Sequence, residues 1–61
     1  MQLIHKGYKG SAGYDEYDKL YVGNVLGIPE IVCYEGKNLI ELSKNFKEAV
    51  DRYIEMKERS K

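Results

Sequence analysis

The chain is poor in the residues that cross-link small domains. Its 61 residues include one cysteine, Cys33, and one histidine, His5. A single cysteine excludes an intramolecular disulfide, and one cysteine with one histidine cannot supply the four ligands of a structural zinc site. A domain of this length buries only about 60% of the surface that its unfolded chain exposes, so its core is small. We therefore expect residues 1–61 to form one domain that is stabilised by oligomerisation.

The chain also lacks an excess of charge of either sign. Lysine plus arginine and aspartate plus glutamate each number 10, so the formal net charge is zero. Proteins that bind DNA or RNA generally carry a basic excess on one face, so this composition disfavours direct DNA binding. The sequence has neither the apolar core of a signal peptide nor the run of about 18 apolar residues that a membrane span needs. We expect a cytoplasmic protein that does not contact a membrane.

Three segments have the character of β-strands. Lys6 to Tyr14 alternates with a period of two, Leu20 to Leu26 is rich in β-branched and aromatic residues, and Glu30 to Glu35 contains a run of strand-favouring residues. The polar residues from Asp15 to Lys19 have the length of a hairpin turn. Pro29 separates the second strand from the third, because proline has no amide to donate. The sequence predicts a three-stranded antiparallel sheet.

One helix is predicted after the third strand. Asn38 is suited to cap it, since its side chain can accept hydrogen bonds from the unpaired amides of the first turn. Beyond the cap, apolar residues recur at three- and four-residue spacing, as in a helix with one buried face. These residues are Leu39, Leu42, Phe46, Ala49, Val50, Tyr53 and Met56. The predicted fold is α+β, with the order β-β-β-α, one face of the sheet covered by the C-terminal helix, and Phe46 in the core.

The other face of the predicted sheet is unusually apolar for a solvated surface. If Tyr21, Gly23, Val25, Val32 and Tyr34 face the helix, the residues that alternate with them lie on this open face. These residues are Val22, Asn24, Ile31 and Cys33. Exposed apolar patches of this kind are typical of interfaces. We predict that Val22, Ile31 and Cys33 mediate self-association into a dimer or a higher oligomer. Gly23 lies between Val22 and Asn24, and a glycine within a strand indicates a close neighbour or a bulge.

Neither reactive side chain occurs in a catalytic pattern. The flanks of His5 offer no carboxylate to orient it, so we interpret it as an exposed histidine near a chain end. We interpret Cys33 as a buried or interface thiol that behaves as a small hydrophobe, since a nucleophile needs electropositive surroundings. The sequence predicts no catalytic, cofactor-binding or metal-ligating residue, and we do not expect an enzyme.

Acidic and aromatic residues cluster at the hairpin tip, where Asp15, Glu16 and Asp18 lie beside Tyr14 and Tyr17. Three carboxylates can hold a divalent cation, but this spacing lacks the further ligands of a calcium loop. A hydrated turn is the favoured interpretation. A further interpretation is that the tip contacts a basic partner through Tyr14, Asp15, Tyr17 and Asp18.

Tyrosine is abundant, with six residues in the chain. Aromatic residues on a sheet can stack on RNA bases, but RNA-binding modules place basic residues on the same face. We interpret Tyr21, Tyr34 and Tyr53 as core residues. Tyr8 suits the rim of an interface, because a tyrosine has both an apolar ring and a polar hydroxyl.

In combination, these residues resemble the N-terminal domain of HicB-type antitoxins, which belong to type II toxin–antitoxin systems of bacteria or archaea. The resemblance extends over roughly Tyr8 to Glu55. It is carried by Tyr8-Lys9-Gly10-Ser11, Tyr14-Asp15, Val22-Gly23-Asn24-Val25-Leu26-Gly27-Ile28, Tyr34-Glu35-Gly36, Leu42, Phe46 and Glu48-Ala49-Val50-Asp51-Arg52-Tyr53.

The resemblance implies three strands and one helix in a partial ribonuclease-H-like unit that lacks the catalytic carboxylates of that enzyme. It also implies a function, which is to bind a small HicA-like toxin that cleaves messenger RNA and to occlude its active site. Such antitoxins usually continue into a DNA-binding domain that represses their operon. Too few residues follow the predicted helix for such a domain, so the resemblance does not extend to repression of an operon.

Two alternatives to the antitoxin function remain open at this point. One is an orphan oligomeric HicB-like protein that has lost its link to a toxin. The other is a vestigial metal-dependent hydrolase or ligand-binding protein that uses Asp15, Glu16 and Asp18.

Overall fold

The computed structural model describes residues 2–59, which form five antiparallel strands followed by one helix. The elements are β1 (Gln2–His5), β2 (Tyr8–Ser11), β3 (Gly13–Asp15), β4 (Leu20–Leu26), β5 (Cys33–Gly36) and α1 (Leu39–Arg59). The predicted α+β class is confirmed, and so are the predicted bounds of β4. The prediction of only three strands is too low.

The central strand of the sheet is β4. It pairs with β2 and β3 along one edge and with β5 along the other, while β1 pairs with the outer edge of β2. Gly10 lies opposite Val25 and Gly13 lies opposite Val22, so β2 and β3 keep one register along β4. They are two parts of one strand that is interrupted at Ala12. The predicted first strand therefore corresponds to β2 and β3 together.

The N-terminal strand β1 was absent from the prediction. Lys6 and Gly7, which the sequence pattern placed at the start of a strand, instead form the turn between β1 and β2 with φ angles of +51° and +82°. Positive φ at both central residues is the geometry of a tight two-residue hairpin. The turn brings His5 opposite Tyr8 and adds one strand to the edge of the sheet.

The third predicted strand begins later than the sequence suggested. Regular strand structure starts at Cys33 rather than at Glu30, although the amide of Val25 still donates to the carbonyl of Val32 at 2.9 Å. Glu30 is instead drawn toward the helix, because its Oε1 accepts a 2.8 Å hydrogen bond from the Tyr53 hydroxyl.

The predicted cap and apolar face of α1 are both present. Asn38 Oδ1 accepts a hydrogen bond from the amide of Glu41 at 2.8 Å, which stabilises the first turn. The fully covered side chains of the helix are Leu42, Phe46, Val50 and Tyr53. Leu39 and Met56, at the two ends of the predicted stripe, are exposed. Within residues 2–59, no helix is long and apolar enough to cross a membrane.

The core lies between α1 and the inner face of the sheet. Leu3, Val25 and Tyr34 from the strands pack against the helix, and the Tyr34 and Phe46 rings lie 5.2 Å apart. Phe46 is only 1% exposed, as predicted. Gly10 lies directly against the Tyr34 hydroxyl and the Phe46 ring, and a methyl group in its place would overlap with both.

Candidate interaction surfaces

The open face of the sheet brings the predicted self-association residues together. Val22, Ile31 and Cys33 all line one groove of about 640 Å³ on the side opposite the helix. The Ile31 side chain is 89% exposed, and Val22 is 37% exposed. We call this surface the open sheet face.

Polar contacts at the centre of the open sheet face explain why the strand is interrupted at Ala12. The Ser11 hydroxyl donates to Asn24 Oδ1 at 3.0 Å and accepts from the amide of Asn24 at 3.1 Å. The Ser11 carbonyl accepts a 2.6 Å hydrogen bond from the Tyr34 hydroxyl. It also lies so close to Gly23 that a Cβ atom there would overlap with it, which confirms the close neighbour predicted for Gly23. Side-chain hydrogen bonds therefore replace part of the regular backbone pairing.

Cys33 is exposed on the open sheet face. The interpretation of this thiol as buried is wrong, because its position in β5 directs it away from the helix while Tyr34 points inward. The alternative interpretation, as an interface residue, stays a prediction.

The hairpin tip between β3 and β4 presents one fully exposed aromatic side chain. Tyr17 is 98% exposed, and Tyr14 is 53% exposed while its ring packs edge-on against Tyr21 at 5.0 Å. Asp15 Oδ1 accepts hydrogen bonds from the amides of Tyr17 at 2.9 Å and Asp18 at 3.3 Å. Such a turn fixes the backbone that carries Tyr17. We call residues 14–18 the hairpin tip.

The carboxylates of the hairpin tip are not arranged as a cation site. Across residues 2–59, no group of three or more His, Cys, Asp or Glu side chains is placed to hold a metal ion. Asp15 uses one carboxylate oxygen to hold the turn, and Glu16 and Asp18 point into solvent. The vestigial metal-dependent alternative therefore gains no support from the geometry.

His5 has a carboxylate partner that its sequence neighbours did not indicate. Its Nε2 donates to Asp51 Oδ1 at 2.9 Å, and Lys6 Nζ lies 3.0 Å from the same oxygen. The His5 side chain is 22% exposed, so its interpretation as an exposed chain-end residue is wrong. Lys6, and then His5, hold the pKa of Asp51 below its ordinary value. These contacts tie the first hairpin to α1.

Two core tyrosines have raised pKa values. The hydrogen bond to Glu30, followed by burial, raises the pKa of Tyr53 to about 12. Burial is the main cause of the raised pKa of Tyr34. Both residues are buried as predicted, whereas Tyr21 is half-buried at the edge of the core. Tyr8 is also half-buried, and its ring meets that of Tyr53 edge-on at 5.7 Å.

Sequence reasoning missed several members of these surfaces. Ile4 and Leu26 add exposed apolar area to the open sheet face, and Lys9 and Glu35 add its charges. The alternation within β4 already placed Leu26 on the same face as Val22, so that signal was available. Asp51 is separated from His5 by 46 positions, and no local pattern connects them.

Comparisons with known proteins give no relative for this chain, since no protein-family model, curated protein sequence or solved structure matches it.

Proposed function

We propose that this protein is a non-enzymatic, antitoxin-like binding protein that occludes the active site of a small, basic, HicA-like toxin that cleaves messenger RNA. The proposal places the protein in the cytoplasm, where such a toxin meets its substrate. It rests on the resemblance of the segment from roughly Tyr8 to Glu55 to HicB-type antitoxins. It also rests on one structural observation, which is the form of the hairpin tip.

The hairpin tip has the properties of a preorganised contact surface. The two amide hydrogen bonds to Asp15 hold the turn in one conformation before any partner binds. A rigid exposed tyrosine supplies contact area at a low cost in conformational entropy. Tyr17 is therefore suited to act as an anchor.

The charge of the hairpin tip indicates the kind of partner. Glu16 and Asp18 are exposed on either side of Tyr17, and no salt bridge involves either of them within residues 2–59. Acidic groups at the rim of an interface speed the approach of a basic protein and disfavour acidic ones. A ribonuclease has a basic surface where it holds the RNA backbone, and an acidic tip can cover that surface.

The first test is recovery of the tagged chain from extracts of its native cells, followed by mass spectrometry. We expect a small basic protein in stoichiometric amount. The purified partner should cleave messenger RNA, and addition of one equivalent of the chain should stop the cleavage. Recovery of the chain alone, or of a partner whose cleavage it does not inhibit, would contradict the proposal.

The second test addresses the hairpin tip itself. Tyr17→Ala combined with Asp18→Asn should weaken inhibition at least tenfold, because the anchor and one rim charge are lost. These side chains are exposed, so the variant should keep the thermal stability of the parent. Glu58→Gln, at the far end of α1, is the matched control and should inhibit normally. Equal inhibition by both variants would assign the contact to another surface.

A further inference from the structure

We propose that the open sheet face binds a second copy of this chain through a two-fold symmetric contact, in which Lys9 of each copy pairs with Glu35 of the other. This inference is independent of the proposed function, since it concerns the protein alone. The binding partner is a second copy of the chain, the symmetry is two-fold, and two Lys9–Glu35 ion pairs form between the copies.

The strand register places Lys9 and Glu35 at opposite corners of the open sheet face. Lys9 lies opposite Leu26 and Glu35 lies opposite Val22, so the two charges are two strands and four residues apart. With about 4.8 Å between strands and about 3.4 Å per residue, their Cα atoms are separated by about 17 Å. A side-chain salt bridge within one copy does not span this distance.

Neither charge has a salt-bridge partner among the residues that the structure describes. Within residues 2–59, the salt bridges join His5 and Lys6 to Asp51 and Arg59 to Glu55, and neither Lys9 nor Glu35 takes part. Both residues are exposed on the face opposite the helix. Together they give this face one positive and one negative corner.

Asn24 on β4 lies at the midpoint between Lys9 and Glu35. It pairs with Cys33 on β5, and its side chain is hydrogen-bonded to Ser11 on β2. A two-fold axis can lie in the contact plane at Asn24, perpendicular to the line from Lys9 to Glu35. This axis places Lys9 of one copy against Glu35 of the second copy, and it forms the reverse pair at the same time. Such self-complementarity is the condition for a closed symmetric dimer.

Apolar side chains surround the symmetry axis. Ile31, Leu26 and Val22 are 89%, 38% and 37% exposed in one copy, and Cys33 lies among them. Their burial would provide the hydrophobic centre of the interface, with the ion pairs at its rim. Within residues 2–59, one copy has seven buried apolar residues, which form a small core, so a second copy would add to its stability.

The test is analytical ultracentrifugation of the purified chain and three variants over micromolar to millimolar concentrations. Lys9→Glu and Glu35→Lys should each raise the dimer dissociation constant at least tenfold, because each places like charges together twice in the dimer. The double variant, with both charges exchanged, should regain most of the parental affinity. Lys44→Glu, on the solvent side of α1, is the matched control and should leave the dissociation constant unchanged.

Three outcomes would overturn the inference. The parental chain could remain monomeric over the whole range, the single variants could dimerise like the parent, or the double variant could remain as weak as the single ones. Circular dichroism of each variant would establish that it is folded. Ile31→Lys provides a second route, since this exposed residue can change without disturbing the core and should shift the mass toward the monomer.

Discussion

The Tyr34 hydroxyl donates a 2.6 Å hydrogen bond to the backbone carbonyl of Ser11, across the interruption between β2 and β3. Tyr34 lies in the core on β5, whereas Ser11 is two strands away. The bond passes Gly23, which has no side chain to obstruct it. A core residue is thus hydrogen-bonded to the backbone at the interruption between β2 and β3.

Removal of this hydrogen bond should destabilise the fold. Tyr34→Phe keeps the ring in the core and leaves the Ser11 carbonyl without its donor, which typically costs about 1–3 kcal/mol. The free energy of unfolding is measured by urea denaturation. Tyr17→Phe is the control, because the hydroxyl of this exposed residue should contribute nothing. Equal stability of the two variants would show that water replaces the donor fully.

Gly23 should be intolerant of any side chain. Gly23→Ala places a methyl group against the Ser11 carbonyl and the Tyr34 ring, so strands β2 and β4 must separate locally. We expect a loss of about 1–3 kcal/mol, as in overpacked cores. Gly13→Ala is a matched control, since its nearest neighbour would lie at 3.9 Å, and it should be neutral or slightly stabilising. A neutral Gly23→Ala variant would contradict this close approach.

Phe46 should account for a large share of the stability of the domain. Phe46→Ala empties the space between Tyr34 and Gly10 and should cost about 3–5 kcal/mol, which is comparable with the whole free energy of unfolding of a domain of this size. Thermal denaturation should show a broad transition or none. Met56→Ala, at an exposed helical position, should change little. A loss below about 1 kcal/mol for Phe46→Ala would contradict the packing of the helix.

The contacts of Asp51 should make stability sensitive to acid. Lys6 and His5 hold the pKa of this carboxyl below its ordinary value, so the folded state binds a proton less readily than the unfolded chain does. The contribution of the Asp51 contacts to the free energy of unfolding is present above about pH 4 and is lost as the pH falls through the lowered pKa. Asp51→Asn should therefore be less stable than the parent at neutral pH, and the difference should shrink near pH 3. Urea midpoints at both pH values measure this change, and a constant difference would refute the linkage.

The hydrogen bond from Tyr53 to Glu30 should be visible in an alkaline titration. The pKa of Tyr53 is raised to about 12, so the contact contributes to stability up to about pH 10 and is lost as the pH rises toward 12. The ultraviolet absorbance of ionised tyrosine should show late ionisation of Tyr53 and Tyr34 in the folded protein. Glu30→Gln keeps an acceptor oxygen without its charge and should lower the pKa of Tyr53. Glu16→Gln, at the hairpin tip, should leave it unchanged.

Local patterns were sufficient for the fold class and for much of the helix. The run from Leu20 to Leu26 predicted β4 with its observed bounds, and Asn38 predicted the start of α1. These signals are reliable because alternation, helical periodicity and capping depend on residues close together in sequence. The same alternation placed Val22 and Cys33 on the face away from the helix.

The missing parts of the prediction all depend on contacts between distant residues. β1 is a short strand that is stabilised by pairing with β2, and the interruption at Ala12 reflects hydrogen bonds from Asn24 and Tyr34 to Ser11. The partner of His5 lies on α1. No window of neighbouring residues contains these relationships, because chain folding alone brings the groups together.

Patterns of neighbouring residues were enough to predict the α+β class, the capped helix with Phe46 on its buried face, and the apolar character of the second sheet face. Those properties follow from the periodicity of apolar residues, which is local and was read directly. Three other properties emerge only in the folded chain, namely the number of strands, the exposure of Cys33 and the corner positions of Lys9 and Glu35. These depend on strand register, which is set by packing and hydrogen bonds between residues far apart in the chain.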